Sequence, residues 1–277
     1  MVIDFHTHPT FYQSVTKSYF NFLRRRWGER TDWMIRVYSS PEAFLDLMNE
    51  CGIDYAVVLA ELAPITTGIC SNEYVAEFCS KSSRLIPFAS INPYTSPRPA
   101  EELQRLVYEY GFKGLKLYPT YQYYYPNDSF MYPVYAKAQD LSLPVSIHLG
   151  SSVFAGSRLK YGDPIHIDDV AVDFPELSLL MCHCGRPFWY NKAFGLARLH
   201  TNVYMEVSGL PPQKLLTYFP EMERIAHKVI YGSDWPGVAS IRENIDAVMS
   251  LEISQEAKQK ILGENGAKLL NIGCVSP

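Results

Sequence analysis

The sequence lacks the features that mark membrane and nucleic-acid-binding proteins. No apolar run reaches the roughly 20 residues that a transmembrane helix needs, and residues 1–8 carry an acid and two histidines where a secretory signal peptide is basic and then apolar. There is no basic excess, because 25 Lys and Arg stand against 29 Asp and Glu; nucleic-acid binding normally needs a basic face. The one basic cluster, Arg24–Arg26, is interpreted as solvated surface. We therefore expect a cytoplasmic protein without membrane or nucleic-acid partners.

Other absences narrow the fold class. Six cysteines in 277 residues, without an export signal, are too few for a disulfide framework and are interpreted as buried thiols. Neither a Gly-x-Gly-x-x-Gly after a first strand nor a Gly-x4-Gly-Lys-Ser/Thr loop is found, which disfavours nucleotide-binding open sheets. No repeat or Gly/Ser-rich linker divides the chain, so we expect one domain over residues 1–277. At 47% hydrophobic residues, the chain has enough apolar material for a large core, which excludes a disordered protein.

The sequence alternates short apolar runs with longer helical patterns. Helix signals lie between the runs, as where Ser40 is a candidate N-cap, Pro41 a first helical residue and Gly52 a stop. Eight alternating units predict an α/β fold, a (β/α)₈ TIM barrel of parallel strands. The predicted strands are Val2–Phe5, Tyr55–Leu59, Leu85–Ile91, Gly114–Tyr118, Pro144–Leu149, Leu177–Cys182, Val203–Val207 and Lys228–Tyr231.

The segment from Pro9 to Ser39 is too long for an ordinary loop after the first strand. It is rich in aromatic residues, among them Phe11, Tyr12 and Trp27. We interpret it as a packed insertion that covers one end of the barrel.

Histidines and one aspartate mark the ends of four predicted strands. His6 and His8 share one face of the first strand, since residues i and i+2 point the same way. His148 and His183 end the fifth and sixth strands, and Asp234 follows the eighth. In a closed barrel these ends converge on the active-site face. Imidazoles with a carboxylate suit Zn²⁺ or a similar first-row divalent ion, so we expect a metal centre.

Taken in order, six motifs across nearly the whole chain resemble the amidohydrolase superfamily, in particular its amidohydrolase-related (amidohydrolase 2) group. That group holds metal-dependent hydrolases and aminocarboxymuconate semialdehyde decarboxylase-like enzymes. The resemblance implies that His6, His8, His148 and Asp234 ligate one metal and that His183 shuttles protons beside the metal-bound water. The motifs are Asp4-Phe5-His6-Thr7-His8, Gly114-Leu115-Lys116-Leu117-Tyr118-Pro119, Leu143-Pro144-Val145 to His148, Cys182-His183-Cys184-Gly185, Tyr231-Gly232-Ser233-Asp234 and Ile261-Leu262-Gly263-Glu264-Asn265-Gly266-Ala267.

Lys116 bears on the number of metal ions. A lysine on the fourth strand is carboxylated in some binuclear members of the superfamily, but in this branch it commonly stays unmodified, so the resemblance implies one ion. An unmodified Lys116 could orient a substrate carboxylate. Tyr118, Arg186 and Trp189 complete the candidate substrate contacts, with Arg186 able to clamp an anion.

Cys182 and Cys184 flank His183 and could be mistaken for metal ligands. Strand alternation predicts that both thiols point away from His183, toward the helices.

These residues predict a metal-dependent hydrolase in which a metal-activated water attacks the carbonyl of an amide, ester or lactone. Asp234 or His183 would take the proton from that water. The alternative is metal-dependent, non-oxidative decarboxylation of an unsaturated or aromatic acid, and a non-catalytic binding barrel is a third interpretation. We expect one divalent metal ion, with Zn²⁺ favoured and Mn²⁺ or another first-row ion as the alternative. We also expect a small-molecule substrate, such as a carboxylate. The oligomeric state stays open, a homodimer included.

Overall fold

The computed structural model describes residues 1–8 and 14–273. Within them, eight parallel strands pair in chain order, and a separate antiparallel hairpin of two short strands follows the second strand. The sequence patterns do not predict this hairpin. The strands are β1 (Ile3–Thr7), β2 (Tyr55–Leu59), the hairpin strands β3 (Glu61–Ala63) and β4 (Gly68–Cys70), β5 (Leu85–Ser90), β6 (Gly114–Leu117), β7 (Val145–Gly150), β8 (Leu179–Arg186), β9 (Val203–Glu206) and β10 (Val229–Ile230).

Helices connect the barrel strands and surround them. Among the described residues, no helix combines the length and the apolar character needed to cross a membrane. The helices are α1 (Lys17–Trp27), α2 (Thr31–Ser39), α3 (Pro41–Cys51), α4 (Asn72–Cys79), α5 (Pro99–Tyr110), α6 (Pro119–Gln122), α7 (Tyr132–Asp140), α8 (His166–Asp173), α9 (Tyr190–Leu199), α10 (Leu215–Tyr218), α11 (Ile241–Met249), α12 (Gln255–Gln259) and α13 (Asn265–Leu270).

The barrel closes between its last and first strands through backbone hydrogen bonds. Phe5 N donates to Tyr231 O at 3.1 Å, and Asp234 N donates to His6 O at 2.9 Å. The buried carboxylate of Asp4 adds a bond across the same seam, because its Oδ1 accepts Ser233 N at 2.8 Å. The predicted TIM barrel is therefore confirmed, and the seam holds the segment that contains Asp234 against the end of β1.

The lower barrel interior is filled by apolar side chains from the strands and by Ala267 of α13. Gly114 makes room there for the ring of Phe88, since a Cβ at Gly114 would lie 2.3 Å from that ring. A second, larger apolar core lies between the strands and the helices. The interior cluster consists of Ile3, Phe5, Val57, Leu59, Phe88, Leu180, Ile230 and Ala267.

A register shift in the pairing of β1 with β2, between Asp4 and Thr7, positions the two histidines. Phe5 and His6 both lie within this shift: Phe5 packs in the apolar interior, and His6 contacts the interior carboxylate of Glu206. An irregularity of this kind re-aims side chains relative to strict alternation. Both Phe5 and the pair His6 and His8 thus face inward.

The helix signals in the sequence are confirmed at α3. Ser40 Oγ accepts Ala43 N at 3.2 Å, Pro41 is the first helical residue, and Gly52 ends the helix with φ of 73°. Serine satisfies an otherwise unpaired amide at a helix start, and glycine tolerates the left-handed stop.

The described part of the predicted insertion folds as α1 and α2 and contributes to the rim of the barrel. Tyr19, Phe22 and Trp27 of α1 pack against aromatic rings elsewhere in the molecule. Phe11 and Tyr12, which the sequence also assigns to this packed segment, lie outside the described residues.

Candidate active site

Three donor atoms from the two sides of the barrel seam meet at the carboxyl ends of the strands. His6 Nε2 lies 3.1 Å from His8 Nε2 and 3.5 Å from Asp234 Oδ1. His8 Nε2 lies 3.6 Å from the same Asp234 oxygen. Two ligands about 2.1 Å from one ion at roughly tetrahedral angles are about 3.4 Å apart. The spacing of these atoms therefore fits a first-row divalent ion.

His6 is held by a buried glutamate that lies outside the sequence motifs. Glu206, the last residue of β9, accepts His6 Nδ1–H through Oε2 at 2.8 Å. Ser208 N also donates to Oε1 of this carboxylate at 2.8 Å. With its proton on Nδ1, His6 presents the lone pair of Nε2 to Asp234 and His8. A carboxylate behind a histidine commonly orients a metal ligand in this way.

His8 has a similar partner. Glu61 of β3 places Oε2 3.3 Å from His8 Nδ1, on the side of the ring away from Asp234. Burial lowers the pKa of His8, but the bonds and charges of Asp234 and Glu61 outweigh it and raise that pKa to about 9. Both histidines thus have a carboxylate at Nδ1 and the shared aspartate at Nε2.

His148, at the end of β7, is buried, and its Nε2 has no hydrogen-bond partner among the described residues. Its ring lies 4.7 Å from that of His183 and 4.7 Å from that of Tyr121, between centroids. Burial, reinforced by the charge of Lys116, holds the pKa of His148 well below its usual range, so the ring is neutral. A buried polar atom without a partner is costly. A neutral imidazole with a free nitrogen is what a metal ion requires of its ligand.

His183 joins this group by a departure from strand geometry. It and Cys184 have positive φ angles of 64° and 49°, which non-glycine residues rarely adopt. Its Nδ1 donates to Ser208 O at 2.9 Å, which leaves Nε2 free. The same Nδ1 lies 4.0 Å from Asp234 Oδ2. Burial and the charge of Arg186 hold the pKa of His183 well below its usual range.

The left-handed residues also explain why the prediction for Cys182 is wrong. Alternation counted from an inward His183 points Cys182 outward, but its thiol lies in the barrel interior within 4.8 Å of donor atoms of His6 and Glu206. Leu180 faces the interior and Met181 the outer core, so regular alternation along β8 turns Cys182 inward. The left-handed backbone at His183 then brings that ring inward too, and the prediction was wrong because it took His183 as the inward reference. Cys184 packs in the outer core as predicted. All five described cysteines are buried free thiols, and Cys274 lies outside the described residues.

Asp234 also has a left-handed backbone, with φ of 65°. Burial opposes its ionisation, but His8 and His6 outweigh burial and hold the pKa of Asp234 well below its usual range. Its Oδ2 lies 3.7 Å from Arg186 Nη1, which also donates to Gly209 O at 2.9 Å. A Cβ at Gly209 would collide with both side chains, so glycine allows the arginine to approach the carboxylate.

A cavity of about 400 Å³ opens above these groups. Of the predicted substrate contacts, Tyr118 and Arg186 line it, whereas Trp189 borders a separate surface depression. Lys116 is fully buried below the cavity, and its Nζ has no hydrogen-bond partner among the described residues. The wall also includes Tyr19, Phe22, Arg26, Glu61, Tyr121 and Phe154.

The residues present fit a metal ion. The observations are the donor spacing, the partnerless nitrogen of His148 and the carboxylates behind His6 and His8. A family model described as amidohydrolase (Amidohydro_2) matches residues 3–272. The chain belongs to the amidohydrolase family.

Solved structures resemble this amidohydrolase over 98% of its length. A TIM-barrel protein from Bordetella bronchiseptica is 23% identical, with 98% of that chain covered and a TM-score of 0.81. A 5-carboxyvanillate decarboxylase from Novosphingobium aromaticivorans, solved with manganese and 4-hydroxy-3-methoxy-5-nitrobenzoic acid, is 17% identical, with 96% covered and a TM-score of 0.73. A 4-oxalomesaconate hydratase from Rhodopseudomonas palustris is 22% identical, with 96% covered and a TM-score of 0.66. Relatives this distant support the shared barrel.

Glu206 and Glu61 have a sequence signal that could have revealed them. Each is an acidic residue next to the carboxyl end of a barrel strand, in Val203-Tyr204-Met205-Glu206 and in Val57-Val58-Leu59-Ala60-Glu61. A charged residue at that end faces the active-site side of a TIM barrel. The local sequence pattern does not predict that Glu206 contacts His6 and that Glu61 contacts His8.

Proposed function

We propose that the chain is a metal-dependent hydrolase that acts on the carbonyl of a small carboxylate substrate. The observation that carries the proposal is the close set of His6 Nε2, His8 Nε2 and Asp234 Oδ1, with His148 beside it, at the base of an open cavity. These four residues would hold one divalent ion, Zn²⁺ or Mn²⁺. A bound ion of this kind polarises a carbonyl oxygen and lowers the pKa of water at the site toward 7.

The protein's own groups would handle protons and position the substrate. Asp234 is ionised, and Oδ1 is the oxygen that faces His6 and His8, which would leave Oδ2 to accept a proton. His183 is neutral with Nδ1–H anchored on Ser208 O, so its Nε2 can accept a proton and return it to a leaving group. Arg186 offers its remaining N–H groups to a substrate carboxylate.

Decarboxylation is the second candidate, and the cavity wall favours it. Tyr118 and Tyr121 stack with ring centroids 5.7 Å apart, and Phe154 meets Tyr121 edge-on at 6.2 Å. Such a wall suits a planar, unsaturated or aromatic acid. The 5-carboxyvanillate decarboxylase that shares the fold acts on an acid of that class, which supports this candidate.

Product analysis distinguishes the two reactions. Metal-loaded protein would be incubated in ¹⁸O-labelled water with lactones, amides and esters that carry a carboxylate, and with aromatic and unsaturated acids. Incorporation of the label into a ring-opened or cleaved product indicates hydrolysis, and release of CO₂ indicates decarboxylation. Metal analysis of the same samples should find about one ion per chain. Two ions would instead point to a carboxylated Lys116, and turnover without metal would contradict the proposal.

The His183→Asn substitution separates the proton role from a ligand role. We expect this variant to keep its metal and to lose about 10²–10⁴-fold in kcat, as is usual for loss of a general acid or base. His166→Asn is the matched control, because His166 packs on Tyr125 away from the cavity. If His183→Asn released metal as readily as His6→Ala, His183 would be a ligand and its assigned role would be wrong.

A further inference from the structure

One face of α1 forms part of the cavity wall. Tyr19, Phe22 and Arg26 line the cavity, and their spacing of three and four residues places them on one side of the helix. Phe154 secures that side, with ring centroids 5.1 Å from Tyr19 and 5.3 Å from Phe22. Ala155 N also donates to Ser18 Oγ at 2.9 Å. The helix therefore holds Arg26 beside the cavity.

Arg26 is a cation without a carboxylate partner there. Its guanidinium carbon lies 5.8 Å from the centroid of Phe22, and among residues 1–8 and 14–273 no carboxylate lies within 4 Å of it. Arg24 stacks in the same way on Phe20, at 5.7 Å, but does not line the cavity. The sequence predicts that Arg24–Arg26 are solvated surface, and Arg26 differs from that prediction because it lines the cavity.

The net charge of the cavity with a divalent ion bound would favour a ligand that carries more than one negative group. Its two arginines, Arg26 and Arg186, balance its two carboxylates, Glu61 and Asp234. Both carboxylates are engaged with His8. With neutral histidines, as metal ligation requires, a bound divalent ion brings the cavity to a charge of about +2. A substrate with one carboxylate would neutralise only half of this excess.

We propose that Arg26 binds a second anionic group of the substrate, so that the enzyme selects small dianions, dicarboxylates with a planar unsaturated or aromatic body, over monoanions. This inference rests on the proposed function, in which Arg186 and the metal centre receive the first carboxylate. The body of the ligand would lie against the rings of Tyr121 and Phe154, between the two cationic ends. Arginine suits the distal position because its planar fork pairs with a carboxylate through two hydrogen bonds.

Equilibrium binding to the metal-loaded protein tests this selectivity without any turnover. The probes are benzoate and the three dicarboxylates phthalate, isophthalate and terephthalate, measured by titration calorimetry. We expect at least one dicarboxylate to bind the wild-type protein about tenfold or more tightly than benzoate, the gain typical of a charged hydrogen-bonded pair. Arg26→Gln should remove that preference and leave benzoate affinity within about twofold. Arg24→Gln, the matched exposed control, should retain the preference.

Two results would overturn the assignment. One is a wild-type protein that binds all four acids equally. The other is an Arg26→Gln variant that weakens benzoate as much as the dicarboxylates, which would make Arg26 a source of general attraction. Neither depends on hydrolysis or decarboxylation, because only binding is measured. A failure of the proposed reaction would appear instead as metal-loaded protein that binds acids and converts none of them.

Discussion

At the scale of single residues, the candidate metal centre depends on which nitrogen of each histidine is free. His6 donates Nδ1–H to Glu206, so its Nε2 is the free nitrogen. Burial raises the pKa of Glu206 to about 7, opposed by the charge of the buried Lys116. A cation bound at His6 Nε2 would favour the ionised form of Glu206, because it would polarise the imidazole and strengthen the hydrogen bond from Nδ1–H to the carboxylate. Metal binding and ionisation of Glu206 should therefore support each other.

Glu206→Gln tests this coupling. The amide keeps the size of the side chain but removes its charge, and its single oxygen cannot accept both His6 Nδ1–H and Ser208 N–H, so we expect metal affinity to fall by about 10–100-fold. Competition with a chelator of known affinity measures the change. Glu101→Gln, on the exposed surface of α5, is the control and should bind metal like the wild type. Unchanged metal affinity in Glu206→Gln would show that Glu206 does not orient His6.

At the scale of secondary structure elements, α1 lies against the cavity mainly through aromatic contacts. Thr16 begins the helix by accepting Tyr19 N, and its hydroxyl also donates to Thr66 O at 2.6 Å. Beyond this start, Phe154 meets both Tyr19 and Phe22 edge-on. Phe154 therefore supports the cavity-lining face, while Trp27 anchors the end of the helix on Trp235.

Phe154→Ala should loosen α1 and leave the barrel intact. Each aromatic pair contributes about 0.5–1.5 kcal/mol, so we expect amide hydrogen exchange in α1 to become about tenfold faster or more, with no change in the strands. Hydrogen exchange with mass spectrometry measures both regions at once. Phe130→Ala removes a ring that packs on Tyr94 and Tyr124 instead of on α1, and it should leave α1 unchanged. Equal protection of α1 in all three proteins would contradict the role given to Phe154.

At the scale of the whole molecule, the pH dependence of stability follows from the ionisable groups in the barrel. His8 has a folded pKa of about 9, above the ordinary 6.5. The folded metal-free protein therefore binds a proton more strongly than the unfolded chain between these values. This contribution is complete below about pH 6.5 and is lost as the pH rises to 9. Asp4 and Glu206 have folded pKa values of about 7. Their titration is therefore largely complete above about pH 7.5, where that of His8 continues.

We expect the metal-free protein to lose about 2 kcal/mol of unfolding free energy between about pH 7.5 and 9, at about 1.4 kcal/mol for each pH unit in which His8 is protonated in the folded state alone. Urea unfolding at a series of pH values measures the loss. His8→Gln should lose less unfolding free energy than the wild type over this range, because the imidazole of His8 no longer titrates. A wild-type curve that stays level or rises through this range would show that His8 is not protonated beside Glu61 and Asp234.

Local patterns in the sequence are enough to predict the barrel and the strand ends that carry the candidate ligands. Apolar periodicity, helix caps and turn glycines are local properties, and parallel strands joined by helices bring their carboxyl ends to one face. The sequence therefore suffices to assign five residues to one site, although their individual roles stay proposals. These residues are His6, His8, His148, His183 and Asp234.

The partners that meet inside that site depend on tertiary packing. Glu206 reaches His6 across 200 positions of sequence, through strand register and barrel closure. The left-handed backbone at His183 turns that ring to the same interior as Cys182, which simple alternation between neighbouring residues does not allow. Arg26 faces the cavity because α1 docks on Phe154. Each outcome depends on contacts between distant segments, which local propensity and residue spacing do not encode.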